Sequence, residues 1–389
     1  MRRVPTALLL APALVATVLA GVAGAAPARP DLVLAIEWRA GGGQLAWRSA
    51  TTLRPVGPAV NVGGASIELI AVSPDAKLAA LTRSGGQLRI VELRPLRSVW
   101  KLALGSPVAA AVWADRDRLV AVTGGAVPAM VVVDMLARRV TSRRELDGEL
   151  WRAVAAGRRV VALLAPARAI GPARLLVVDG DGSLRQVRLV GVSAGFTPAP
   201  DDEGTGRQAS PGLALDPTGS QAVVVGLDTA LSVDLETLRQ TRKSNRRPAR
   251  AAKRIEGWSR HAVWLGGGLI AVVGRTLSFD GDRQGSATIG LQIQRLGSTE
   301  VRVLDKTAWG VIRSGDTFLG FGGTGLRGYW LDGTLRFELL RGRGTGYVQV
   351  AGRWAYVGTS NSTRFTIVDV RAGRVVGTAQ TSKPTVVLR

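Results

Sequence analysis

Between positions 241 and 254 the chain strings together Arg242, Lys243, Arg246, Arg247, Arg250, Lys253 and Arg254, with no acid until Glu256. Seven cations in so short a stretch attract polyanions by summed electrostatics. They form the candidate loop for binding an anionic polymer or partner, although a solvated flexible loop has the same composition. His261 follows the run and is the chain's only histidine, so any Ser-His-Asp triad would have to pass through it and a multi-histidine metal centre is excluded. With no cysteine there is no disulfide, no thiolate nucleophile and no Cys metal site. Asp179-Gly180-Asp181-Gly182 and Asp280-Gly281-Asp282 look superficially like calcium loops. An EF-hand loop needs a bidentate acid at its twelfth position, and Val190 stands there when counting from Asp179, so both are expected as hairpin turns. The glycine-rich stretches 320–325 and 342–346 lack the Lys-Ser or Lys-Thr pair and the following helix of a phosphate cradle. No catalytic, cofactor or metal set can be named from spacing.

The net charge of +22 suggests nucleic acid at first sight, but forty-five of the fifty-one basic residues are Arg. With Ala, Gly and Val also abundant, the excess reads as a compositional bias, and no nucleic-acid partner is expected. The N-terminus has the layout of an export signal: Arg2 and Arg3, an apolar run over 7–22, then Ala23-Gly24-Ala25 as a small-x-small cleavage site. About sixteen apolar residues are short for a membrane span. Residues 1–25 are thus expected as a signal peptide, and its loss would lower the charge from +22 to +20 by removing Arg2 and Arg3. The mature protein is expected to be secreted, extracellular or periplasmic, with no integral span after cleavage.

Groups of this kind would be positioned by short strands. Apolar runs at 32–36, 78–81, 119–122, 160–164, 222–225, 269–273, 318–321 and 354–357 recur at similar spacing, separated by Gly, Asp, Pro and Ser turns. Ser73-Pro74-Asp75-Ala76 and Asp216-Pro217-Thr218-Gly219 are such turns. A strand ending in Asp recurs at Asp134, Asp179, Asp234 and Asp369, where the carboxylate can accept a backbone N–H two residues on and close a hairpin. Trp113 in Ala-Val-Trp-Ala and Trp264 in Ala-Val-Trp-Leu occupy like places and are expected to pack between sheets. The pattern predicts an all-β chain, one β-propeller over 26–389 with four-stranded antiparallel blades. The repeat count gives eight blades, with seven possible, and a ring closed by strands from the two chain ends. Insertions at 191–210, with the acid run Asp201-Asp202-Glu203, and at 241–260 are expected as long loops on one face.

The segment 355–378 resembles the YVTN-type β-propeller repeat, through Tyr356-Val357, Asn361, Val368-Asp369 and Val375-Val376. Gly358 and Thr359 stand where that repeat has its Thr-Asn. The resemblance implies a WD40-like wheel in an exported bacterial or archaeal surface protein. The wider superfamily includes quinoprotein dehydrogenase subunits, TolB-like modules and lactonases. Lactonase-like wheels hold a channel calcium with Glu, Asn and Asp; here Asn61, Asn245 and Asn361 are the only asparagines, and no such set can be assigned.

The reading is a secreted, non-enzymatic binding or scaffold module of the cell envelope, with no cofactor, whose partner is an envelope protein or anionic polymer. The alternative is a propeller hydrolase or lactonase with a channel-bound metal ion.

Overall fold

The computed structural model describes residues 31–40, 42–63, 67–83, 85–198, 206–244, 254–280, 283–358, 363–382 and 385–388. The expected signal peptide lies outside the described residues. The strands are β1 (Leu32–Arg39), β2 (Gly42–Ser49), β3 (Pro55–Gly63), β4 (Ile67–Val72), β5 (Leu78–Arg83), β6 (Gln87–Leu93), β7 (Leu96–Ala103), β8 (Val108–Trp113), β9 (Arg118–Thr123), β10 (Ala129–Asp134) and β11 (Arg139–Glu145). There follow β12 (Glu149–Ala156), β13 (Arg159–Ala165), β14 (Gly171–Asp179), β15 (Leu184–Thr197), β16 (Arg207–Ser210), β17 (Gly212–Leu215), β18 (Gln221–Val225), β19 (Thr229–Asp234) and β20 (Gln240–Ser244). The rest are β21 (Arg254–Gly266), β22 (Leu269–Asp280), β23 (Arg283–Thr288), β24 (Leu291–Arg295), β25 (Val301–Asp305), β26 (Ala308–Ser314), β27 (Thr317–Gly322), β28 (Gly325–Trp330), β29 (Leu335–Leu339), β30 (Tyr347–Ala351), β31 (Trp354–Gly358), β32 (Arg364–Asp369), β33 (Arg374–Gln380) and β34 (Thr385–Val387).

Hydrogen bonding corrects the expected number of blades. Six four-stranded blades form, not eight or seven, in the orders β34-β1-β2-β3, β4 to β7, β8 to β11, β17 to β20, β26 to β29 and β30 to β33. The other ten strands run together as one sheet, β12-β13-β14-β15-β16-β21-β22-β24-β25 with β23 on β22. The sequence period counts strands, but it does not record which edges stay bonded. Here β16 joins β15 antiparallel and β21 parallel, so units expected as separate blades share one ladder. β34 pairs antiparallel with β1, so the first and last strands lie in one blade.

The unbroken apolar runs are the strands second from the axis, and they are apolar throughout because both faces are covered. In β13, Val161, Leu163 and Ala165 pack toward β17 to β20, while Val160, Ala162 and Leu164 pack toward β8 to β11. Each such Val or Leu contributes about 1.5–3 kcal/mol when fully buried. Trp113 and Trp264 are buried in clusters shared by adjacent sheets. The hairpin aspartates close their turns locally: Asp134 accepts from the amides of Leu136 and Ala137, and Asp234 from those of Glu236 and Thr237. Asp179 departs from this, since it is paired with Arg159 Nε at 2.5 Å and Arg185 Nη2 at 2.8 Å. Burial alone would raise its pKa, but the two guanidinium bonds hold it below the usual carboxylate range.

Much of the arginine excess acts between sheets. Arg143 donates to Leu104 O at 2.9 Å, Arg158 to Ala114 O at 2.7 Å, Arg159 to Gly219 O at 3.0 Å and Arg313 to Trp264 O at 2.9 Å. A long, forked cation can span the gap between neighbouring blades and satisfy carbonyls that no ladder reaches.

Candidate functional site

First strands pack one on the next around the axis in the order β4, β8, β12, β17, β21, β26, β30, β34. At the end where these strands begin, several are bulged. One extra residue stands between Leu69 and Ala71, Val108 and Ala110, Leu150 and Arg152, and Ala308 and Gly310. A bulge re-aims the side chains that follow it.

Of the two insertions, expected as loops, residues 199–205 and 245–253 lie outside the described residues; the described parts are strands at this same end. β15 continues past its blade to Thr197, β21 starts at Arg254, and β22 runs on to Asp280. With β16 and β23 they make a five-stranded arm, β15-β16-β21-β22-β23. Gly195 is the corner where β15 leaves β14 for β16. Its φ is +126°, and a Cβ there would lie 2.0 Å from Ala169 O, so only glycine fits.

Where the arm meets the ring, β12 and β21 bring together Arg152, Arg260 and His261. Arg152 Nη1 lies 3.2 Å from His261 Nδ1, and its Nη2 lies 3.4 Å from Arg260 O. Gly212, which opens β17, lies close to the same part of β21: a Cβ there would press on Ala262 N at 3.1 Å and Arg260 C at 3.3 Å. Arg152 and His261 are half-buried, while Arg260 is only 6% exposed. Burial, the adjacent Arg152 charge and a backbone bond at Val311 that only partly offsets them push His261 down to about 3. Its imidazole is therefore neutral, accepts from Arg152 at Nδ1 and keeps its proton on Nε2 for Val311. Burial also lowers Arg152, and it brings Arg260 down to about 10 against the opposing pull of Asp228.

A second group stands at the leading ends of β4 and β30. Burial raises Glu68, and Tyr347 is raised by burial and by the Glu68 charge, with its hydroxyl accepting from Gln349 Nε2 at 2.9 Å. Gln349 Oε1 accepts from Val387 N at 3.0 Å.

These groups do not make an acid–base machine. A base whose conjugate acid sits near 3 removes protons poorly at neutral pH. A triad histidine is oriented by a carboxylate, and here the orienting neighbour is a guanidinium. Among the described residues no three of His, Asp and Glu gather as a metal site. What the arrangement can do is present fixed positive charge.

Of the seven candidate loop residues, Arg242 is exposed in edge strand β20, where its guanidinium lies against Gly191. Lys243, also in β20, stands opposite Ala230 of β19, and Arg254 opens β21 opposite Phe279. Arg246, Arg247, Arg250 and Lys253 lie outside the described residues, as does Asn361. Sequence reasoning singled out His261 but missed Arg152, because nothing in 149–156 marks it. The only local signal is a charged residue inside an apolar strand.

No helix among the described residues is long and apolar enough to cross a membrane. No protein-family model and no curated protein matches the chain. Solved structures do. The dihydro-heme d1 dehydrogenase NirN, solved with DHE, is 13% identical over 93% of this chain and 78% of its own, with a TM-score of 0.60. Apo AztD from Citrobacter koseri is 12% identical over 91% and 97%, with a TM-score of 0.51. The computationally designed Ika8 protein is 11% identical over 84% and 92%, with a TM-score of 0.53. At such identities the likeness concerns the fold alone, and with the ring of antiparallel blades it makes this chain a β-propeller.

Proposed function

We propose that the protein is an exported, non-enzymatic propeller that serves as a binding or scaffold module in the cell envelope. Its recognition surface is the face at which the first strands begin. The observation that carries this reading is the five-stranded arm: the described parts of the insertions, 191–197, 207–210 and 254–260, are strands hydrogen-bonded to the blades. A rigid platform carrying variable connections suits recognition. Export rests on the layout of residues 1–25, and the YVTN-type repeat on segment 355–378.

On this reading the cations from Arg242 to Arg254 draw in an anionic polymer or the acidic surface of an envelope protein. The test is binding of mature protein to anionic phospholipid vesicles and to a soluble polyanion across a salt series. Neutralising Arg246, Arg247, Arg250 and Arg254 together is expected to weaken binding and flatten its salt dependence. Unchanged binding by the quadruple variant would discard the loop as the contact.

A further inference from the structure

Arg152 is a buried arginine with few acceptors. Among the described residues two of the five N–H groups of its guanidinium meet an acceptor, at 3.2 and 3.4 Å, and the buried Nε has none. No ion pair to it occurs among the described residues. The acids nearest in sequence are engaged elsewhere: Asp147 binds Arg174, and Glu149 accepts from the Arg168 amide. Next to Arg152 stand a second cation, Arg260, on which Asp228 acts, and a neutral imidazole. By contrast Arg48 and Arg159 have carboxylate partners. A desolvated cation without a counter-charge is destabilising unless something else supplies the charge.

The identity of its neighbour matters. An aspartate in place of His261 would orient Arg152 equally well but would neutralise it. A neutral histidine holds the guanidinium and leaves its full charge available.

We propose that the place where β12 and β21 bring Arg152 beside His261 and Arg260 is a binding site for a small oxyanion, a carboxylate or phosphoryl group, held by Arg152 in its His261-propped orientation. The site lies on the face assigned to recognition but does not depend on the envelope reading or on the 242–254 loop.

The single histidine makes the test direct, because protein carrying no histidine tag has one imidazole to observe by NMR. Inorganic phosphate or citrate is titrated in at constant ionic strength, with sodium chloride as the reference. The expected result is a saturable shift of the His261 resonance, accompanied by a rise in melting temperature as the anion binds the folded state. Arg152→Met should abolish the saturable shift. Arg152→Lys keeps the charge without the fork and should weaken binding about tenfold or more. Whichever probe saturates at lower concentration identifies the phosphoryl or the carboxylate class. The wild-type titration alone decides the matter if Arg152→Met does not fold. A resonance that neither probe moves beyond the chloride reference, or one that moves equally in a folded Arg152→Met, overturns the site. Binding by the quadruple loop variant bears only on the polyanion reading, so the two failures are distinguishable.

Discussion

Arg152 Nη1 and His261 Nδ1 stand 3.2 Å apart across 109 residues of chain, and the contact ties β12 to β21. A cation donating to an imidazole stabilises the neutral ring, and burial acts in the same direction.

The first prediction concerns pH. Folded His261 titrates near 3, against about 6.5 for the unfolded chain. Between those values the unfolded state holds a proton that the folded state does not. Stability therefore falls as pH drops through this window, by at most about 1.4 kcal/mol per pH unit. Urea melts from pH 7 to 5 should show this slope in the wild type and lose it in His261→Gln. Glu68 is raised by burial and contributes with the opposite sign, so the difference between the two proteins is the quantity to read. Equal slopes would mean that His261 titrates normally.

The blade that joins the first and last strands contains a buried ion pair. Arg48 Nη2 meets Glu37 Oε2 at 2.7 Å, each side chain 4% exposed, and Arg48 Nη1 donates to Leu53 O at 2.8 Å. Glu37 also accepts from Arg39, an exposed neighbour, at 2.9 Å. Glu37→Met strands a buried guanidinium and should cost about 3–5 kcal/mol in denaturant melts. Arg48→Met leaves Glu37 with Arg39 and should cost less. The double variant should be milder than the sum of the two. Strict additivity would show that the pair is not coupled.

Tyr356 is fully buried, and its hydroxyl donates to Ala50 O at 2.8 Å across the boundary between β31 and the β1 to β3 blade. Tyr356→Phe removes this bond with little change of shape. It should lower stability by about 1 kcal/mol with an unchanged denaturant m-value. No loss would mean that the Ala50 carbonyl finds another donor.

Gly195 fixes the corner of the arm. Gly195→Ala puts a Cβ against Ala169 O in a backbone region that L-residues avoid, and should cost about 1–3 kcal/mol. Hydrogen exchange should show protection lost first at Arg207 to Ser210, whose ladder begins at this corner. Uniform loss over all blades would mean that the arm and ring unfold as one unit.

The all-β class, the strands second from the axis and the aspartate turns were legible in the chain because each depends on a few consecutive residues. Val160 to Leu164 must be apolar to be covered on both faces, and Asp134 closes a turn with the amides just beyond it. Blade separation, the arm and the Arg152 site were not legible. β16 pairs with β21 across two intervening stretches of sequence, in a parallel register that no local pattern specifies. Asp179 shares the local motif of Asp134 yet is claimed by Arg159 and Arg185, which only packing brings near. The sequence by itself determined which segments become strands and how each hairpin turns, since backbone sterics and burial act over a few residues. The tertiary structure alone decided which edges fuse and which charges stand unpaired, since those depend on distances between strands far apart in the chain.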